Sequence, residues 1–139
     1  MGSVIEILKA VLAAIGGYIA WFLGGFDGIL IALCVFALVD YATGVIAAVV
    51  EKNLCSRIGF KGIFKKLLMF LLVGIAAVLD MYVLGGTSPV REVVIVFYIA
   101  NEGISIIENS ARLGLPVPAK LIAVLEQLKK QTEEDDSGV

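Results

Sequence analysis

Histidine is absent from the 139 residues. That removes the side chain most often used as a metal ligand and as a general base near neutral pH. Cysteine occurs twice, as Cys34 and Cys55, a number and spacing that supply neither a zinc site nor a disulfide framework. Charge is scarce too: 17% of residues are Asp, Glu, Lys or Arg, against about 25% in ordinary soluble domains. No nucleophile stands with a base, no glycine loop is built to cradle phosphate, and no cluster of metal ligands occurs. The expectation is a protein that is not an enzyme, needs no cofactor and binds no nucleic acid.

What fills the space is hydrocarbon. Hydrophobic residues make up 60% of the chain, where soluble domains have roughly 45–50%. This composition predicts an all-α integral membrane protein. Apolar stretches at about 8–23, 28–50, 67–84 and 90–111 predict four transmembrane helices, the first near the short end of the ~20 residues that cross a bilayer. Three spans are the alternative, with the first stretch at the interface or the last outside the bilayer. Ser88 followed by Pro89 is a start signal for the fourth helix.

Charge is segregated, and the bias sets an orientation. Lys52, Arg57, Lys61, Lys65 and Lys66 crowd the connection between the second and third stretches. Basic connections stay on the cytoplasmic side, so both termini are expected in the cytoplasm. Ile58, Phe60, Ile63 and Phe64 interleave with these lysines, which suits a segment lying on anionic headgroups as well as a plain topology anchor. The first stretch lacks a convincing signal-cleavage site, and Glu6 spoils a myristoylation signal. Beyond Pro116 and Pro118, residues 119–131 predict a short cytoplasmic amphipathic helix with Leu121, Ile122, Leu125 and Leu128 on one face. The transmembrane domain is then 1–118, and 132–139, with Glu133, Glu134, Asp135 and Asp136, reads as a disordered acidic tail.

Several residues carry a physical problem. At ~100° per residue, Tyr98, Asn101, Glu102, Ser105, Glu108, Asn109 and Arg112 form one stripe on the fourth helix, too polar for lipid. Asp40 lies ten residues before the end of the second stretch, ~15 Å deep at 1.5 Å per residue, and Glu102 lies at a similar depth. Asp80 sits nearer the outer end of the third. A charge at mid-membrane costs about 2.5–3.5 kcal/mol on insertion scales. With the third helix starting at 67, no basic residue shares the depth of Asp40 and Glu102. The acids are then protonated and bonded to Asn101, Thr43 or Tyr41, paired with another copy, or wet. Glu108 and Arg112, spaced i, i+4, are expected to pair on the helix surface. Gly16, Ala20 and Gly24 on the first helix, and Gly44 and Ala48 on the second, have the spacing that lets helices approach closely.

Three segments carry a family resemblance: Asp40-Tyr41-Ala42-Thr43-Gly44; Ser56-Arg57-Ile58-Gly59-Phe60-Lys61-Gly62 followed by Lys65-Lys66; and Asn101-Glu102-Gly103-Ile104-Ser105-Ile106-Ile107-Glu108-Asn109 leading into Gly114-Leu115-Pro116-Val117-Pro118. In order and spacing the chain resembles the phage lysis and toxin-secretion holins from about Asp27 to Lys130. The resemblance implies a homo-oligomer in the lipid bilayer that forms timed lesions, collapses the membrane potential and releases an endolysin without contacting it directly. Relatives of this kind are also implicated in toxin export. The family is often described with three spans, and its motifs assign no catalytic residue. A pore lined by the polar stripe fits this picture; a small ion or proton channel or transporter subunit, and a non-lytic antiholin or structural protein, are the competing readings.

Overall fold

The computed structural model describes residues 1–86 and 89–137. Five α-helices follow one another: α1 (Gly2–Phe22), α2 (Gly28–Val50), α3 (Ser56–Val78), α4 (Val90–Arg112) and α5 (Ala119–Ser137). A π-helical turn, Leu79–Val83, prolongs α3. Among the described residues, three stretches are long and apolar enough to cross a bilayer: Gly2–Phe22, Gly28–Val50 and Ser56–Val83. The polar stripe keeps α4 outside that class.

Two boundaries differ from the sequence expectation in ways that matter. The third helix begins at Ser56 rather than near 67. Hydropathy falls at Arg57, Lys61 and Lys65, but nothing in 56–66 breaks a helix, so the helix continues through the basic segment. Similarly α5 runs on to Ser137, past the expected end at 131. Ser88 lies outside the described residues. Pro89 precedes α4 instead of opening it, and the free N–H groups of Val90 and Arg91 donate to the two Asp80 carboxylate oxygens at 3.2 and 2.8 Å. Asp80, expected as an intramembrane polar residue, thus caps the N-terminus of α4 across the turn.

The central bundle is α2, α3 and α4. Leu30, Leu33, Val73 and Ile95 are its largest fully buried side chains, joined by Ala37, Met69 and Leu23. All belong to the half of the bundle nearest the 24–28 and 84–90 connections. Two glycines permit close approach. A Cβ on Gly74 would lie 2.0 Å from the Phe22 ring, and one on Gly103 would lie 2.8 Å from Leu125 and 3.1 Å from Phe36. Neither was singled out from the sequence. α5 folds back along α4, with Leu125 seated at Gly103.

α1 is different. Among the described residues it buries none of its own side chains, and it meets the bundle only at its end, through Phe22 and Leu23. Of the expected packing series, Gly16 lines no helix contact among the described residues, with nothing within 4 Å of a Cβ placed there, while Ala20 is half-buried near the end of α1. Gly24 falls past the end of α1 with φ +80°, and a Cβ there would sit 2.6 Å from Arg91 Nε. It serves the arginine rather than a helix face. Gly44 and Ala48 do pack: Gly44 faces Asn109 at 3.5 Å and Ala48 is buried.

Arg91 locks the connections at this end. Its Nε donates to the Leu23 carbonyl at 2.6 Å, its Nη2 to the Gly25 carbonyl at 3.0 Å, and both terminal nitrogens to Asp27, at 2.7 and 3.1 Å. Asp27 also caps α2 by accepting from the Leu30 N–H at 3.1 Å. The Arg91 guanidinium holds the Asp27 carboxyl below its ordinary 3.8. A lowered native value contributes stability that is complete above the ordinary value and is lost as pH falls through the lowered one. Half exposure keeps the effect under about 1 kcal/mol. In detergent-micelle unfolding, wild-type protein is expected to lose stability more steeply than Asp27→Asn below about pH 4; equal slopes would rule the clamp out as an electrostatic contact.

Candidate functional site

Asp40 is ten residues before the end of α2, Lys66 ten residues after the start of α3, and Glu102 ten residues before the end of α4. All three ends lie on the same side of the bundle. Each residue is therefore ~15 Å along its helix from that side, and the three meet. Lys66 Nζ donates to Asp40 Oδ2 at 2.6 Å and to Glu102 Oε2. Their side chains are only 14–18% exposed.

This corrects two readings of the sequence. Asp40 and Glu102 do have a basic partner within the chain, and Lys66 turns into the bundle while its basic neighbours stay exposed. The reason is helical geometry. With α3 starting at Ser56, Lys66 falls on the face of Gly62, Met69 and Val73, and Met69 and Val73 are buried in the bundle. Lys52, Arg57, Lys61 and Lys65 remain exposed. The signal lay in the i, i+3, i+7 relation of Lys66 to Met69 and Val73, hidden by placing a helix boundary where hydropathy drops.

Around the ion triad runs a polar web. Asn109 Nδ2 donates to Asp40 Oδ1 at 3.3 Å, to the Asp40 carbonyl at 3.4 Å and to Thr43 Oγ1 at 3.1 Å. The Thr43 hydroxyl donates to the Asp40 carbonyl at 3.0 Å. Thr43 thus joins the site, while Asn109, rather than Asn101 or Tyr41, donates the side-chain hydrogen bond to Asp40. Gly44 makes room for it. At the rim, Arg112 forks onto Glu51, with Nε to Oε1 at 3.0 Å and Nη2 to Oε2 at 2.5 Å. The expected Glu108–Arg112 pair does not form; Glu108 points outward, and Glu51, unmarked in the sequence reading, takes its place. The guanidinium holds the Glu51 carboxyl below its usual value.

Between α2, α3 and α4 these residues line a cleft of about 960 Å³. Tyr98, Asn101, Ser105 and Asn109 form its α4 wall, and Gly44, Ala48, Gly59 and Gly62 its narrow sides. The Tyr41 ring lies over Gly59 and Gly62, 3.3–3.5 Å from where a Cβ would be. The web therefore gathers most of the stripe (Tyr98, Asn101, Glu102, Ser105, Asn109 and Arg112) against α2 and α3. Asp80 lies in the far half, at the α4 cap. No cluster of three metal-ligating side chains occurs among the described residues, and nothing in the cleft pairs a nucleophile with a base. Its chemistry is that of an ion pair inside a helix bundle.

The sequence profile of the bacteriophage holins matches residues 17–130. The chain belongs to that family. An uncharacterised 14.9 kDa protein of Clostridium perfringens is 43% identical over 131 residues, covering 94% of this chain and 99% of its own length. An uncharacterised Listeria monocytogenes protein is 37% identical over 130 residues, covering 94% and 92%. A protein of Bacillus phage phi105 named a probable holin is 36% identical over 110 residues, covering 76% and 81%. No solved structure matches. Lys66, Asp40 and Glu102 all fall inside the region that defines this holin-family match.

Removing one member of the triad leaves a buried charge without its partner, which typically costs 3–5 kcal/mol, whereas replacing the whole group is often neutral. Lys66→Met is expected to destabilise the protein in micelles by about 3 kcal/mol or more. The triple variant Asp40→Asn/Lys66→Met/Glu102→Gln should recover most of that loss. Equal stability of Lys66→Met and wild type would show that the triad does not hold the bundle.

Proposed function

We propose that this protein is a holin, acting in the bacterial inner membrane by assembling copies into lesions that collapse the membrane potential. The lesions free an endolysin, to which the protein is coupled in function and not by contact. The observation that carries this reading is α1. A helix of 21 apolar-rich residues with no side chain buried by its own chain is stable in lipid, and it offers a whole surface to neighbouring copies. The family match and the phi105 relative support the same reading.

In this reading four helices cross the bilayer. α4 lies parallel to α2 and antiparallel to α3 over its length, as Asn109 beside Asp40 and Glu102 beside Lys66 indicate. Wherever α2 and α3 are embedded, α4 is embedded with them, and its polar atoms are answered by Lys66, Asp40 and Thr43 instead of lipid. The exposed basic residues Lys52, Arg57, Lys61 and Lys65 favour a cytoplasmic α2–α3 connection, hence cytoplasmic termini. Gly16, facing open space, becomes a contact between copies. Host lysis, with toxin export as the related outcome in some bacteria, is the resulting activity.

Expression in bacteria with a membrane-potential dye and a cytosolic endolysin tests this. Abrupt depolarisation followed by lysis is the expected result. Selective, reversible ion flux without lysis would point to a channel or transporter, and oligomers without leak to an antiholin. A finer test uses Gly16→Leu. It meets no neighbour within the chain, so monomer stability should stay within about 0.5 kcal/mol of wild type, while the time of depolarisation shifts. Unchanged timing would remove α1 from the assembly surface.

A further inference from the structure

The basic segment of α3 has more order than a topology anchor needs. At 100° per residue, Arg57, Lys61 and Lys65 share an arc of about 80° with Leu68, Leu72 and Ile75. All six are exposed. One strip of α3 is therefore cationic over its first turns and hydrocarbon beyond them. Lys66 turns inward to its two acids, but among the described residues Arg57, Lys61 and Lys65 have no ion-pair partner. The change of character falls where a membrane surface would lie. Ser56–Val83 has 28 residues, about 42 Å of helix, roughly 12 Å more than a ~30 Å hydrocarbon core. The far end closes on exposed Met81, Val83 and Leu84. The excess therefore belongs to the basic end, and Lys65 stands near the boundary of the core.

The strip borders two hollows that meet. Lys65 lines the α2–α3–α4 cleft together with Tyr98 and Asn101. Leu72 and Ile75 line a second, apolar groove of about 320 Å³, with Val93, Val94 and Phe97 as its α4 wall and Thr132 and Glu133 of α5 bordering it. Tyr98 lines both. Ten residues separate Lys65 from Ile75, ~15 Å of helix, which is half of the ~30 Å core and so the depth of one leaflet. The Tyr98 hydroxyl and the Asn101 amide have no hydrogen-bond partner among the described residues. Free cations at the boundary, unmet donors beside them and an apolar groove one leaflet deep match, in turn, the phosphate, the ester carbonyls and the acyl chain of a lipid. We infer that the furrow between α3 and α4 binds one anionic phospholipid of the cytoplasmic leaflet. Its phosphate rests on Arg57, Lys61 and Lys65, and an acyl chain runs along Leu68, Leu72 and Ile75. A zwitterionic lipid brings its own cation to the phosphate and satisfies the strip less well. The site needs α3 in the bilayer with its basic end inward; it does not need copies to assemble, so it goes beyond the lesion reading.

Native mass spectrometry of the full-length chain in micelles tests it, with phosphatidylglycerol and phosphatidylcholine of identical chains added in equal amounts. One phosphatidylglycerol per chain should be retained, about fivefold or more over phosphatidylcholine, the factor that one lysine near an anionic surface supplies. Lys61→Gln/Lys65→Gln should bring the ratio close to one. Lys61→Arg/Lys65→Arg should keep it, as should Lys52→Gln, which lies off the strip. Leu72→Gln/Ile75→Gln should lower retention of phosphatidylglycerol. Equal retention of the two lipids by the wild type, or a preference that survives loss of both lysines, overturns the proposal. A preference lost equally in Lys52→Gln would mean that net charge alone attracts the lipid, and overturns it too. Retention untouched by Leu72→Gln/Ile75→Gln leaves the groove unoccupied, and displacement of the lipid by millimolar inorganic phosphate makes the strip a free-anion site; either result is equally fatal. A chain that retains the lipid as expected but never depolarises cells supports this site and refutes the lesion reading alone.

Discussion

One ammonium shared between two carboxylates holds this bundle together. In lipid the surroundings of a helix are as apolar as its neighbours, so helix association draws little from the hydrophobic effect and relies on close packing and polar contacts. The two halves of the α2–α3–α4 bundle divide along that line. The half that contains Leu30, Leu33, Val73 and Ile95 packs directly, and Gly74 and Gly103 let neighbouring side chains lie against the helix backbone. In the other half a cleft of about 960 Å³ keeps the helices apart, and Lys66, Asp40 and Glu102 join them across it. Without the lysine, two acids would face one another at mid-bundle with only Asn109 and Thr43 for company.

Two arginines finish what the triad begins, one at each end. Arg112 ties the end of α4 to Glu51 just past α2. Arg91, at the start of α4, gathers the carbonyls that end α1 and the carboxylate that caps α2. α4 carries both arginines and Glu102, so the least apolar helix of the central bundle fastens the more apolar ones. A polar stripe that looks like a defect in a membrane helix is, on this arrangement, the joint of the bundle.

How much of this was legible depended on the physical signal. α2 and α4 were placed closely because their boundaries coincide with turn chemistry and with charge at Glu51 and Arg112. Asp40 and Glu102 stood out because acids at that depth are costly. Their partner was missed for one reason: α3 continues through Arg57, Lys61 and Lys65, where hydropathy stops but helix geometry does not. Starting the helix eleven residues later moved Lys66 from mid-bundle to the membrane edge. Periodicity also gave the stripe its face without giving its neighbour. Whether Tyr98 to Arg112 met water, lipid or protein depended on α2 and α3 lying over it. Glu108 and Arg112 met the spacing rule for a pair, but Glu51 offered a fork from outside the helix. The length of α5 escaped because its acidic end resembles a solvated tail by composition alone.

The Arg91 clamp has a consequence for how the molecule comes into being. Its contacts join Arg91 to Leu23, Gly25 and Asp27, more than sixty residues earlier in the chain. In a polypeptide made from its N-terminus, the α1–α2 connection forms first and waits with the Leu23 and Gly25 carbonyls not yet met by a guanidinium. Only after α2 and α3 have been made does the guanidinium of Arg91 arrive to close them. Assembly order is thus written into the clamp: a chain stalled after α2 has its first helical hairpin unlatched, and the latch closes only once the chain has been made through the start of α4.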